Sequence, residues 1–160
     1  MLQFEDVMTT FKIAAVLAAL LLSSSINMPT KPKTEIVKTK PQDVECLAKN
    51  IYHEARGEPF QGQVAVALVT VNRVASGLFQ NTVCQVVYAN KQFSWTSDRN
   101  KRVKDQKAWA SAVKIATAVL SRRVYEPDFT AVYFHASHVA PLWAKTKTII
   151  TKIGNHIFYA

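Results

Sequence analysis

The stretch Val64–Ser76, VAVALVTVNRVAS, limits most what this chain can become. Its many valines favour a strand by propensity. It nevertheless lacks the strict apolar/polar alternation of a half-buried strand, and it runs on for longer than most strands do. Gly77 follows as a helix stop, so the expected element is a helix from Gln63 to Ser76. A helix with so little polar surface must be buried on most of its sides, and the rest of the chain has to supply the cover.

Two more helices are expected to do so. Val44, Leu47, Ala48, Ile51 and Ala55 recur at helical spacing behind Asp43, read as an N-cap, and Gly57 and Pro59 end the run. Lys107–Arg123, KAWASAVKIATAVLSRR, is Ala-rich with cations at its C-terminal end, where the helix dipole favours them. The chain then changes character. Thr130–His135, TAVYFH, has strand composition, and Thr148–Tyr159 places Gly154-Asn155 between two β-prone runs as a hairpin turn. The expected fold class is α+β: a helical body with a small antiparallel sheet.

Ahead of this lies Ile13–Leu22, IAAVLAALLL, preceded by Lys12 and followed by three serines. That is the layout of a signal peptide, and the run is short of the ~20 residues needed to span a bilayer. Glu5 and Asp6 sit poorly in such a leader, whereas a start at Met8 gives a more ordinary one. Residues 1–26 are therefore read as a signal peptide or, if uncleaved, a signal-anchor in the inner membrane. Residues 27–42 hold three prolines and four lysines and read as a basic tether, leaving 43–160 as one folded domain.

The chain carries 20 Lys and Arg against 11 Asp and Glu, a formal charge of +9, which predicts an anionic partner. Nucleic acid, anionic lipid and an acidic cell-wall polymer all fit that field. A nucleic-acid role is disfavoured, because export is indicated and no Arg-clustered reading helix is present. If the chain is exported, Cys46 and Cys84 can form one disulfide closing a 38-residue loop; in a cytosol they would be two buried thiols. Neither belongs to a C-x-x-C pair, and the four histidines show no compact ligand spacing, so neither metal nor cofactor is expected.

The polar groups most suggestive of chemistry lie in Ile51–Pro59, IYHEARGEP. At 100° per residue Glu54 falls on the border of the apolar stripe, on the side of Asn50. A carboxyl against apolar neighbours resists ionisation and can serve as a proton donor, which is what scission of a glycosidic bond requires. Against that stands a purely structural reading, in which Glu54 and Glu58 pair with Arg56 and Lys49 on a wet helix end.

The string YHEARGE, with QFSW at Gln92–Trp95 and GNHIFY at Gly154–Tyr159, resembles the cell-wall hydrolase family of spore-cortex lytic enzymes. The likeness runs over about residues 45–159. It implies a fold similar to that of the lysozyme and lytic transglycosylase superfamily, peptidoglycan as partner, and a helix-borne glutamate as acid. By motif that glutamate is Glu54. Spore members commonly have Gly where His53 stands here. The resemblance implies cleavage between N-acetylmuramic acid and N-acetylglucosamine, with Glu54 first protonating the leaving oxygen and then taking a proton from the muramyl 6-hydroxyl.

Substrate contacts are expected from Gln92, Phe93, Ser94 and Trp95, with at least one of the two aromatics in the core, and from Tyr133 and His135. Trp143, Asn155 and His156 are further cleft candidates. Glu58 is read as a structural or substrate-orienting partner of Arg56 rather than a nucleophile, and Asp98 and Asp105 as the other carboxylates a hydrolytic mechanism would need. The rival readings are a zinc amidase using His53, His135, His138 and His156 with Glu58, and a basic module that binds wall or membrane by charge alone. A monomer is expected, and the short export segment on a minimal domain leans towards a phage lysis enzyme acting in the host periplasm.

Overall fold

The computed structural model of the chain describes residues 39–98 and 102–160. The expected leader and most of the expected tether, residues 1–38, lie outside them. Among the described residues there are four α-helices: α1 (Pro41–Ala55), α2 (Phe60–Ser76), α3 (Val83–Val87) and α4 (Gln106–Leu120). Three strands follow, β1 (Tyr133–Ala136), β2 (Ile149–Ile153) and β3 (His156–Tyr159), in one antiparallel sheet of order β1-β3-β2. The α+β expectation therefore holds.

α2 is the centre of the described helix-and-sheet domain, as its sequence demanded. Every residue from Val64 to Thr70 is buried. On one side, Val64, Ala67 and Leu68 join Leu47, Ala48 and Ile51 of α1 and Ala112, Ile115, Ala116 and Val119 of α4. On the other side, Ala65, Val66 and Val69 pack against Ala55, Ala131 and Phe158, which ties the helices to the sheet. A helix clad on both faces needs no amphipathic pattern, which accounts for the unbroken apolar run.

The helix ends differ from the sequence reading in physical detail. α1 starts at Pro41 with Lys40 in the cap position, so the last two residues assigned to the tether are helical and Asp43 lies in the first turn. Proline at the first helical position gives up an N–H that has no intrahelical partner anyway. α2 begins at Phe60, directly after Pro59, three residues before its expected start. α4 is capped by Asp105, whose side chain accepts from the Ala108 N–H, and it ends at Leu120. α3 was not foreseen; it carries Cys84, which is disulfide-bonded to Cys46 of α1 with Cα atoms 5.2 Å apart.

β1 starts three residues later than its composition suggests. Phe129 and Ala131 give their carbonyls to the Asn72 side chain, and Val132 gives its carbonyl to Arg73 Nε at 2.7 Å. The carbonyls of this segment are thus taken up by side chains of α2, and the Val132 N–H alone reaches the neighbouring strand, donating to the Tyr159 carbonyl at 2.9 Å. The β2–β3 hairpin turns at Gly154-Asn155 as expected, with Gly154 at φ 55°. A Cβ on Gly154 would overlap the Glu58 carboxylate and the ring of Pro59, so a larger residue there is strained in φ and must displace one of them.

Candidate active site

The C-terminal end of α1 points Glu54 into a small pocket of about 200 Å³, lined also by Arg73, Gln92, Phe93, Ser94, Phe134, His135, Ala136 and His156. Four separated parts of the chain meet there: α1, α2 through Arg73, the segment Gln92–Ser94 leading into a 3-10 turn at Ser94–Ser97, and the β1–β3 face. Glu54, Gln92, Phe93, Ser94 and His135 are brought together as the sequence suggested. Glu54 is partly buried, Ser94 is exposed, and Phe93 is buried in the core while still forming a wall of the pocket.

His135 is held from both ring nitrogens. Nδ1 lies 2.9 Å from the Ala136 carbonyl, which can only accept, and Nε2 lies 2.7 Å from the Tyr159 hydroxyl. In the neutral ring, therefore, Nδ1–H donates to the carbonyl and Nε2 accepts the Tyr159 proton. With both nitrogens engaged and the ring stacked on Tyr159 at 5.3 Å, His135 is suited to shaping the pocket wall.

Several expected contacts lie elsewhere. Trp95 is buried, stacked on His53 with ring centroids 4.5 Å apart, so both aromatics of the QFSW motif belong to the core. Arg56 does not pair with Glu58: its Nη1 donates to the Tyr52 carbonyl at 3.2 Å, and its guanidinium lies over the Tyr52 ring. It lines a neighbouring charged pocket with His53, Asp98, Arg102, Lys104 and Asp105. Glu58 instead accepts from Asn155 of the hairpin turn and sits 4.0 Å from His156 Nδ1. Tyr133 packs between Phe79 and Trp143, with Lys147 Nζ 4.2 Å from its ring centre. Among the described residues no group of three His, Cys, Asp or Glu side chains is placed to hold a metal ion.

Arg73 and Phe134 enter the pocket unforeseen. Arg73 is the one charged residue of α2, and it is only 4% exposed. Burial pulls its pKa down to about 10, while Tyr133 and Glu54 act electrostatically to retain its proton, so it is a cation at neutral pH. An arginine inside an otherwise apolar buried run was the available signal, since such residues are rarely buried without a partner. His156 is buried, and its pKa is lowered, first by that burial and further by His135 and His138, with Glu58 opposing.

A model of the cell wall hydrolase family matches residues 57–159. The chain belongs to that family. The match begins three residues after Glu54. Among curated relatives in the family, the spore cortex-lytic enzyme of Bacillus cereus is 36% identical over 117 residues, covering 72% of this chain and 43% of that protein. The spore cortex-lytic enzyme of Oceanobacillus iheyensis is 37% identical over 119 residues, covering 72% and 41%. The chain thus spans less than half the length of these relatives. The crystal structure of the catalytic domain of the Bacillus cereus SleB protein superposes with a TM-score of 0.62 at 30% identity, covering 82% of this chain and 100% of that one. The catalytic domain of the germination-specific lytic transglycosylase SleB from Bacillus anthracis superposes at 0.63 with 32% identity, covering 78% and 98%. The α+β fold is therefore that of the SleB catalytic domain.

Proposed function

We propose that this chain cleaves the glycan strands of peptidoglycan between N-acetylmuramic acid and N-acetylglucosamine, as a lytic transglycosylase with Glu54 as its acid and base. The observation that carries this reading is the convergence of the EARGE glutamate with Gln92, Phe93 and Ser94 on one pocket. Membership of the cell wall hydrolase family, and the likeness to a domain described as a lytic transglycosylase, support it.

In this reaction Glu54 gives its proton to the leaving oxygen as the C–O bond to the muramyl C1 breaks. The muramyl 6-hydroxyl oxygen then bonds to C1 and returns a proton to the Glu54 carboxylate, so no water is consumed. Among the described residues Glu54 is the only carboxylate in the pocket lining, which favours a one-glutamate route over hydrolysis by a carboxylate pair. Gln92, Ser94 and the Phe93 wall would orient the sugar. Arg56, Trp95, Tyr133 and Glu58 lie outside this pocket lining.

The Cys46–Cys84 disulfide and the charge of +9 support a place of action outside the cytosol, on an anionic wall. We extend the proposal to export as a monomer into the periplasm, held at the inner membrane if the leader is retained, and to a role as a phage lysis enzyme. Mass spectrometry of peptidoglycan digested by the purified protein tests the chemistry. The proposal predicts 1,6-anhydromuramyl ends. Reducing muramic ends would replace it with hydrolysis, and free stem peptides would replace it with an amidase.

A further inference from the structure

The mechanism above leaves one buried charge unused. Arg73 spends Nε on the Val132 carbonyl, and its guanidinium is flanked by Phe79 and Phe93 at 5.2 and 5.6 Å. Its Nη1 is shut off from solvent and has no hydrogen-bond partner. Leaving a cationic donor buried and unpaired costs stability, and a fold that keeps one at a pocket wall has a use for it. The pocket is the one that Glu54 lines, and at about 200 Å³ it is smaller than typical ligand cavities, sized for part of a sugar.

We propose that the Arg73 guanidinium is a substrate-binding donor for the carbonyl oxygen of the sugar 2-acetamido group lying beside Glu54, an inference that rests on the peptidoglycan reading above. Three features select an amide carbonyl over a carboxylate. Once Glu54 has given up its proton, a substrate carboxylate held beside it would be repelled. Arg73 has committed Nε to the backbone, so the paired N–H fork that carboxylates prefer is broken on that side. Phe93 and Phe134 supply an apolar wall for the acetyl methyl group, and Gln92 and Ser94 supply polar atoms for the amide N–H.

The test is made in the Glu54→Gln chain, so that binding is read without turnover. Titration calorimetry compares glycan strands freed of stem peptides, either N-acetylated or chemically de-N-acetylated, against Arg73, Arg73→Met and Arg73→Lys. Arg73→Met is expected to weaken binding to the acetylated strand about tenfold or more, and not to weaken binding to the de-N-acetylated strand. Arg73→Lys keeps the buried cation and is expected to lose the same preference for acetyl groups; it carries the comparison if Arg73→Met does not fold. Equal losses on both strands, or no loss on either, would reduce Arg73 to a structural role and overturn the inference. If the chain with Arg73 intact binds neither strand, the peptidoglycan reading itself falls.

Discussion

Glu58 grips the turn of the β2–β3 hairpin: its carboxylate accepts the Asn155 backbone N–H at 2.8 Å and the Asn155 side-chain amide at 3.2 Å, across 97 residues of sequence. The second glutamate of the EARGE box thus anchors the sheet to the end of α1, just beyond the turn that carries Glu54. Glu58→Ala is expected to destabilise the chain by about 1–2 kcal/mol, read from urea unfolding, because two donors lose their acceptor. Glu58→Gln retains one acceptor and is expected to lose less. Equal stability in all three proteins would show that the grip contributes nothing.

The disulfide joins α1, which carries Glu54, to the short helix α3. Since it closes 38 residues, reduction or a Cys46→Ala/Cys84→Ala double variant is expected to cost about 2–4 kcal/mol, chiefly by freeing the unfolded chain. Paired unfolding curves with and without reductant check this. An unchanged midpoint would contradict it.

His156 gives the fold a pH dependence. Its ring is buried against Phe134 and Phe158, and burial holds its pKa below the usual 6.5. Between the two values the unfolded chain binds more protons than the folded one, so stability rises with pH in that window. The contribution is complete above pH 6.5 and is lost as pH falls towards the depressed value. Urea midpoints should therefore fall on acidification below pH 6.5, and His156→Gln should flatten that part of the curve. A variant with the same slope as the parent would assign the dependence to other groups.

Much of this was legible in the chain because it is written in short-range pattern. The apolar run of α2, the spacing of Val44, Leu47 and Ile51, and the Gly154-Asn155 turn each fix an element locally. The pocket was legible only in part. Gln92, Phe93 and Ser94 were drawn in by motif, but nothing in their spacing says that Phe93 faces the pocket while Trp95 turns inward to stack on His53. Arg73 was passed over because its neighbours Val71 and Val74 read as core, and its partner, the Val132 carbonyl, lies 59 residues away. Sequence proximity pairs Glu58 with Arg56, whereas the turn after α1, closed by the Glu58 N–H on the Ala55 carbonyl, precedes a Glu58 side chain bonded to Asn155. Long-range partners of polar groups are what periodicity does not encode.

The central claim is that Glu54 supplies the proton, and Glu54→Gln tests it most directly because the amide keeps shape and cannot act as acid. Turnover of purified peptidoglycan, followed by release of soluble glycan fragments, is expected to fall about 100-fold or more, with the urea midpoint and affinity for the glycan retained. Turnover at the parent rate in the folded variant would contradict the assignment and move the chemistry to another group.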